Sequence, residues 1–264
     1  MTGLMTGKRG LVMGVANDHS IAWGIAQALH SHGAELAFTY QGEAFGKRVE
    51  PLAKSVGSDI LLPCDVEDIS TVDAVFAALK EKWGKIDFLV HAIAFSDKNE
   101  LKGKFADTSR ENFTKTMVIS CFSFVEISKR AAAMMPDGGS IITLTYGGST
   151  RVMPNYNVMG VAKAALESAV RYLAGDYGPQ GIRVNAISAG PMRTLAGAGI
   201  GDARAMFNYQ AAHAPLRRTI TLEEVGGAGL YLLSPLSSGV TGEIHYVDSG
   251  YNIISMPRPE DLKG

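Results

Sequence analysis

The feature that most constrains the fold is an alternation of short β-rich runs with longer segments of helical periodicity, which continues almost to the end of the 264-residue chain. This alternation is typical of right-handed βαβ units, which build parallel sheets with helices packed on them. Residues 86–94 form a nearly continuous apolar run, as expected of a central parallel strand that is covered on both faces. We therefore predict an α/β fold with a doubly wound parallel sheet.

The periodicity predicts about seven strands, with helices on both faces of a Rossmann-like sheet. Pro63 lies inside the third predicted strand, which indicates an edge strand because proline cannot donate to a ladder. Ser70 and Thr221 are predicted helix N-caps, and Glu224 completes a capping-box pattern with Thr221. The predicted strands are 10–14, 35–40, 58–64, 86–94, 140–146, 182–188 and 243–248; the predicted helices are 21–32, 71–83, 109–134, 158–176 and 222–233.

The chain shows no repeat and no linker that would divide it, so residues 1–264 are predicted to form one domain. Residues 190–202 are the longest glycine-rich departure from regular structure. Long loops of this kind in compact domains are often active-site lids. We predict a substrate-binding lid around residues 192–207.

Composition excludes several classes of function. A net charge of −1 and a pI near 6.6 provide no electrostatic footprint for nucleic acid. No apolar run approaches the roughly 20 residues needed for a transmembrane helix, and residues 1–14 are interpreted as a buried first strand rather than an export signal. Cys64 and Cys121 form neither a disulfide framework nor a zinc spacing. We expect a cytoplasmic protein without a metal site.

The turn between the first strand and the first helix is a candidate pyrophosphate site. Gly14 ends the strand, and Ser20 can cap a helix whose free N–H groups and positive dipole end attract an anion. The segment 14–24 lacks the middle glycine of a G-x-G-x-x-G turn, so an ordinary βα turn is an equally good interpretation of this segment alone.

Two further strand ends carry residues that are suited to an adenosine group. Gln41 follows the second strand and can bind a ribose hydroxyl, but it offers no charge to a 2′-phosphate, which favours NADH over NADPH. Asp65 follows the third strand and could accept a hydrogen bond from adenine, or could simply cap its own turn. His91 precedes small residues at the end of the fourth strand and is interpreted as a packed core residue.

A pair of side chains suited to acid–base chemistry follows the fifth strand. Tyr156 and Lys163 are seven residues apart, which on a helix returns to nearly the same face about 10.5 Å along the axis. A phenol with a nearby ammonium can stabilise a developing oxyanion. Tyr146 lies at the carboxyl end of the fifth strand and is predicted to reach the same edge of the sheet. Each of these residues alone could be ordinary packing.

Taken together, these motifs resemble the bacterial NADH-dependent enoyl-[acyl-carrier-protein] reductases, a divergent branch of the short-chain dehydrogenase/reductases, over essentially the whole chain. The resemblance is carried by Gly-Val-Ala-x-x-x-Ser-Ile-Ala-x-Gly from Gly14, Pro-Asn-Tyr-Asn-Val-Met-Gly-x-Ala-Lys from Pro154, and Arg-Val-Asn-Ala-Ile-Ser-Ala-Gly-Pro-x-Arg-Thr-Leu from Arg183. Ordinary members of the superfamily have Tyr-x-x-x-Lys, whereas this chain has six residues between Tyr156 and Lys163.

The resemblance implies reduction of the trans-2 double bond of enoyl thioesters in the last step of fatty-acid elongation (EC 1.3.1.9). It also implies an acyl carrier protein as substrate carrier and a homotetrameric assembly. It assigns Tyr146, Tyr156 and Lys163 to catalysis, and Ser96, Tyr146 and Tyr156 to substrate binding, although Ser96 replaces the family's usual alanine. The positions it assigns to NADH are Gly14, Ser20, Ile21, Gln41, Asp65, Val66, Ile93, Lys163, Met192, Arg193, Thr194, Leu195 and Ala196.

Two other functions are kept as alternatives. One is another short-chain dehydrogenase/reductase that acts on a carbonyl or alcohol; its Ser-Tyr-x-x-x-Lys mark is absent from this sequence. The other is a catalytically silent NAD-binding protein, which the presence of Tyr146, Tyr156 and Lys163 disfavours.

Overall fold

The fold is a sheet of seven parallel strands with helices on both faces, in a computed structural model that describes residues 3–192, 194, 203–256 and 258. The strands are β1 (Arg9–Met13), β2 (Glu35–Tyr40), β3 (Leu61–Pro63), β4 (Phe88–His91), β5 (Gly139–Thr145), β6 (Ile182–Ala189) and β7 (Ile244–Val247). The α-helices within the described residues are α1 (Ile21–Ser31), α2 (Gly42–Ser55), α3 (Ile69–Trp83), α4 (Arg110–Met117), α5 (Ser123–Ala132), α6 (Asn157–Tyr177), α7 (Ala203–His213) and α8 (Leu222–Leu233). Short 3-10 turns cover Phe105–Asp107, Gly147–Ser149, Gly178–Gln180, Pro235–Ser237 and Tyr251–Ile253.

The sheet has the strand order β3-β2-β1-β4-β5-β6-β7, and every paired neighbour runs parallel. The order reverses between β1 and β4, which is the crevice where open α/β sheets bind ligands. The predicted doubly wound sheet is confirmed. Pro63 lies in β3 at the sheet edge, as its missing N–H requires.

Alternating residues of each strand enter one of two cores, because successive strand side chains point to opposite faces. Leu11 and Met13 pack with α3, α5 and α6 on one face, whereas Val12 packs with α1, α2 and α8 on the other. Both faces of the sheet are therefore largely apolar, although a few buried polar side chains, such as Thr143 of β5 and Asn185 of β6, lie within the strands.

Two sequence-based predictions of local structure need correction, and two helices were not predicted. The N-cap of α3 is Asp68, not Ser70: the Asp68 carboxylate accepts from the Ser70 N–H at 3.0 Å. The predicted helix 109–134 is divided by a π-helical segment, Val118–Phe122, between α4 and α5. Helices α2 and α7 were not predicted from periodicity. The Thr221 capping box is confirmed, with Glu224 donating its N–H to Thr221 and accepting from the Thr221 N–H.

Candidate functional site

The parallel topology brings most of the predicted site residues to one edge of the sheet. Gly14 follows β1, Gln41 follows β2, Asp65 lies just beyond β3, Ile93 just beyond β4, and Tyr146 follows β5. Met192 lies three residues after β6. Because the carboxyl ends of parallel strands share one edge, these residues, far apart in sequence, lie along the same edge of the sheet on either side of the strand-order reversal.

Gly14 allows the first turn to lie against the neighbouring strand end. Its φ is +95°, and a Cβ at this position would lie 1.9 Å from the carbonyl oxygen of Ala92. Only glycine satisfies both conditions, since a side chain would be strained and would also clash. The backbone of this turn therefore packs directly against the backbone of Ala92, the residue after β4.

Ser20 acts differently from the prediction. It is the N-cap residue of α1, but its hydroxyl makes no side-chain cap bond; it accepts from the N–H groups of Ala16 and Asn17 at 3.0 and 3.1 Å. The first bonds into the helix are donated by Trp23 and Gly24 to the Ser20 carbonyl. The hydroxyl thus folds the loop and leaves the earlier amides of α1, those of Ile21 and Ala22, at the crevice, which suits anion binding.

The two residues predicted for adenosine are in direct contact. The Gln41 side-chain amide donates to the Asp65 carboxylate at 3.0 Å. Asp65 also accepts from the Glu67 N–H, and Val66 is buried against the core beside it. One polar ledge therefore spans the ends of β2 and β3.

The end of β4 is held in place by polar groups from α4 and the π-helical segment. The Ser120 hydroxyl bonds to both the N–H and the carbonyl of Phe95 at 2.9 Å. The Ser96 hydroxyl accepts from Thr116 at 2.9 Å and from the Asn112 amide at 3.2 Å. Ser96 therefore belongs to a polar network with α4, and this network anchors the loop that follows β4.

His91 is a core residue, as the sequence indicated. Its ring is fully buried and bonds to the hydroxyls of Thr143 and Ser123 at 3.2 and 3.0 Å. Burial, aided by the charge of Lys163, lowers the pKa of His91 to about 3, so the ring is neutral.

Tyr146 and Tyr156 form an edge-to-face pair at the end of β5. Their ring centroids are 5.2 Å apart at an interplanar angle of 75°. Burial raises the pKa of both phenols above the ordinary range, and each is therefore a protonated hydrogen-bond donor at neutral pH.

The orientation of Tyr156 depends on a turn rather than on helical periodicity. Tyr156 is the N-cap of α6, and its neighbours Asn155 and Asn157 have φ values of +57° and +35°. Asparagine tolerates this region better than most residues. The Asn157 amide donates to the carbonyls of Glu100 and Gly103 and so holds the turn. The seven-residue helical argument therefore applies only from Asn157 onward.

Lys163 is buried and points at the same strand end. Its Nζ donates to the Leu144 carbonyl at 2.8 Å, two residues before Tyr146. Burial lowers the pKa of Lys163 to about 8, while the Cys121 and Glu167 groups act to raise it. The ammonium form still predominates at neutral pH.

Two residues at this site were missed by sequence reasoning. Gln210 of α7 donates to the Tyr146 hydroxyl at 3.0 Å, and nothing in a sequence separation of 64 residues indicates that contact. Glu167 is buried and accepts from the Thr145 hydroxyl at 2.6 Å. The second could have been noticed, because a carboxylate four residues after Lys163 interrupts the apolar face of α6.

Part of the predicted site lies outside the described residues. Of the loop positions predicted to bind the cofactor, Met192 packs at the rim of the core and Thr194 donates its N–H to the Met192 carbonyl at 2.8 Å. Arg193, Leu195 and Ala196, with most of the predicted lid, lie outside the described residues. Within those residues, no helix has the length and apolar content needed to span a bilayer, and no group of three or more His, Cys, Asp or Glu could hold a metal ion.

A parallel sheet whose order reverses at a glycine-lined turn, with a buried Tyr–Lys cluster two strands away, defines a dinucleotide-binding oxidoreductase of the short-chain dehydrogenase type. The family model described as enoyl-(acyl carrier protein) reductase matches residues 14–252. The chain therefore belongs to the enoyl-[acyl-carrier-protein] reductase family.

Named relatives agree with this family. The chain is 74% identical to enoyl-[acyl-carrier-protein] reductase [NADH] 2 of Rhizobium meliloti, over all of this chain and 98% of that protein. It is similar to the crystal structure of FabI from Candidatus Liberibacter asiaticus, with a TM-score of 0.96 and 62% identity over 98% of this chain and 100% of that one. The enoyl reductase of Anaplasma phagocytophilum, whose structure is a complex with NAD, matches with a TM-score of 0.94 and 56% identity over 98% of both chains.

Proposed function

We propose that this protein is an NADH-dependent enoyl-[acyl-carrier-protein] reductase that reduces the trans-2 double bond of enoyl thioesters in the last step of fatty-acid elongation. The observation that carries the proposal is the group of two buried tyrosines and a buried lysine at the end of β5, on the same sheet edge as the glycine turn. The family and the names of its members give the reaction class.

Two features of this sheet edge suit a dinucleotide: the backbone of the Gly14 turn and the charge of the Gln41–Asp65 ledge. The Gly14 turn and the amino end of α1 suit a pyrophosphate, because a backbone without a side chain lets amides approach an anion. The Gln41–Asp65 ledge provides neutral and anionic acceptors for ribose and adenine. A carboxylate at this ledge disfavours a 2′-phosphate, which supports NADH over NADPH. Ser20, Ile21, Val66, Ile93 and residues 192–196 complete the proposed cofactor site.

The chemistry follows from the charge that develops on the substrate. Bound NADH supplies a hydride to the β-carbon, so negative charge moves to the thioester oxygen. We assign Tyr156 to donate a hydrogen bond to that oxygen, since its raised pKa keeps the proton on the phenol. Lys163 holds the cofactor ribose and adds positive potential at the same edge. Transfer of a proton from solvent to the α-carbon then yields the saturated acyl group.

Tyr146 is assigned to the substrate side of the site. Its hydroxyl accepts from Gln210, which leaves its own hydrogen free to donate. Helix α7 thus meets the tyrosine pair, in support of residues 192–207 as a lid over the acyl chain. Ser96 is the weaker substrate assignment, because its hydroxyl is already bonded to α4.

We also propose a cytoplasmic homotetramer that receives its substrate from acyl carrier protein. Large apolar residues are exposed on three adjacent elements: Phe113 on α4, Phe122 in the π-helical segment, and Val161 and Tyr172 on α6. Exposed apolar surface of this kind is typical of contacts between subunits. Arg204 is exposed on α7, beside the proposed lid, and is a candidate contact for an acidic carrier.

The proposal is tested by following the absorbance of NADH with an enoyl thioester as substrate. Tyr156→Phe and Lys163→Ala should each lower turnover, and loss of the oxyanion donor is expected to cost on the order of 10²–10³-fold. A saturated ketone serves as the control substrate and should not be reduced. Enoyl reduction that persists at the wild-type rate in both variants would reject the assigned roles, and preferential ketone reduction would reject the proposed reaction.

A further inference from the structure

Glu167 is a buried acidic residue to which the proposed mechanism gives no role. Only 5% of its surface is exposed, and it lies on α6 beneath the catalytic group. Its Oε1 accepts from the Thr145 hydroxyl at 2.6 Å. A buried carboxylate is costly unless charge or hydrogen bonds compensate for it, so its presence here needs a physical reason.

Glu167 and Lys163 are tied to the same point of the sheet. They are four residues apart on α6, which places them on one helix face. Lys163 donates to the carbonyl of Leu144, and Glu167 accepts from the side chain of Thr145, the next residue along β5. The two charged groups therefore converge on consecutive residues of the strand end that leads into Tyr146.

The other titratable groups around Lys163 are neutral at physiological pH. His91 from β4 has a pKa of about 3, and burial raises the pKa of the Cys121 thiol in the π-helical segment. Glu167 supplies the carboxylate among the described groups that interact with the ammonium. Because this region is poorly solvated, the charge of Glu167 has a larger effect on the Lys163 ammonium than it would have in water.

We propose that Glu167 is a positioning residue for the reaction: its carboxylate is the buried counter-charge that keeps Lys163 protonated and directed to the end of β5. The inference rests on the proposed function and extends it by one residue. Glu167 acts through Lys163, and through Thr145 it links that lysine to the end of β5, the strand that leads into Tyr146.

The direction of the effect follows from the charges. Burial lowers the pKa of Lys163 to about 8, and the charge of Glu167 acts against that decrease. Removing the carboxylate while keeping its shape should lower the pKa of Lys163 further. The ammonium would then lose its proton at a lower pH, and the positive potential at the end of β5 would be lost with it.

The test is the pH dependence of kcat/KM for NADH in Glu167→Gln, because this parameter reports the pKa values of the free enzyme. The wild-type alkaline limb is expected near the Lys163 pKa of about 8. In Glu167→Gln the limb should move to lower pH by roughly one unit or more, as expected for loss of a nearby opposite charge. Glu167→Asp should retain most of the wild-type profile. Asp176→Asn, which removes an exposed charge from the same helix, should leave the limb unchanged.

A second variant tests the inference if Glu167→Gln fails to fold. Thr145→Val with Glu167→Met replaces the buried polar pair by apolar groups of similar size, a change that folded proteins often tolerate. This double variant should show the same acidward movement of the limb. The inference would be overturned if the folded, active Glu167 variants kept the wild-type alkaline limb of the pH profile. It would also be overturned if Asp176→Asn moved that limb by the same amount. A wild-type protein without enoyl reduction would instead reject the proposed function.

Discussion

At the scale of single residues, the site depends on conformations that only certain side chains permit. Asn155 and Asn157 adopt positive φ on either side of Tyr156, and Gly14 does so at the first turn. These residues determine where a phenol and a backbone turn lie, not how strongly they react. Reactivity comes from burial, which raises the pKa of Tyr156 and lowers the pKa of Lys163.

Gly14→Ala tests the first of these constraints. The new Cβ would meet the Ala92 carbonyl in a backbone conformation that is strained for any side chain, so we expect a loss of stability of about 1–3 kcal/mol. NADH affinity should fall as well, because the turn belongs to the proposed pyrophosphate site. Denaturant unfolding and a fluorescence titration with NADH measure the two effects.

Gly175→Ala is the matched control. Gly175 lies in α6, and a Cβ there meets open space. Alanine should therefore stabilise the helix by up to about 1 kcal/mol and leave NADH binding unchanged. A Gly14→Ala protein as stable as Gly175→Ala, with wild-type affinity, would contradict the assigned role of the turn.

At the scale of elements, α1 and α8 pack so closely that their backbones meet. A Cβ on Gly226 would lie 2.6 Å from the Gly24 carbonyl, and one on Gly24 would lie 2.8 Å from the Leu222 carbonyl. Glycines on both helices permit this contact. The position of α1 therefore depends on α8, which follows it by about 190 residues in sequence. This matters for the proposed cofactor site, because α1 begins there.

Gly226→Ala should separate the two helices. The clashing group is the backbone carbonyl of Gly24, which cannot move away cheaply, so we expect destabilisation of about 1–3 kcal/mol. Gly227→Ala, one residue further on, meets open space and should be neutral or slightly stabilising. The difference between the two variants in urea midpoint measures the effect of close packing, and equal midpoints would rule it out.

At the scale of the whole molecule, the two cores hold the seven strand ends in register, so a ligand in the crevice contacts both halves of the fold. A ligand that binds only the folded state stabilises all of it. Cofactor preference should therefore appear as a difference in thermal stability.

NADH at about 100 times its Kd should add about 2.7 kcal/mol, a rise in Tm on the order of 5–10 °C for a chain of this size. NADPH at the same concentration should produce a smaller rise, because the Gln41–Asp65 ledge presents a carboxylate and no cation to its extra phosphate. Differential scanning fluorimetry with both coenzymes provides the measurement. Equal increases in Tm with the two coenzymes would contradict the proposed preference for NADH. Gln41→Arg should reduce the difference between the two increases.

The amino-acid sequence by itself determined the order of the seven strands along the chain and the edge position of β3, because periodicity and the missing N–H of Pro63 are local properties. It also predicted that Gly14, Gln41, Asp65 and Tyr146 would share one edge, since that follows from parallel topology. The π-helical break before α5 and the Asp68 cap were not predicted, because competing hydrogen bonds decide them.

Only the tertiary structure decided how the site is assembled. Gln210 reaches Tyr146, and Glu167 meets Thr145, through packing between elements that are distant in sequence. The Ser20 hydroxyl accepts from two amides of its own loop and makes no side-chain cap bond to α1, a choice that helix periodicity does not reveal. Burial, and with it the altered pKa values of Tyr156 and Lys163, arises only when the helices close over the sheet, since solvent exposure is a property of the folded chain and not of any segment.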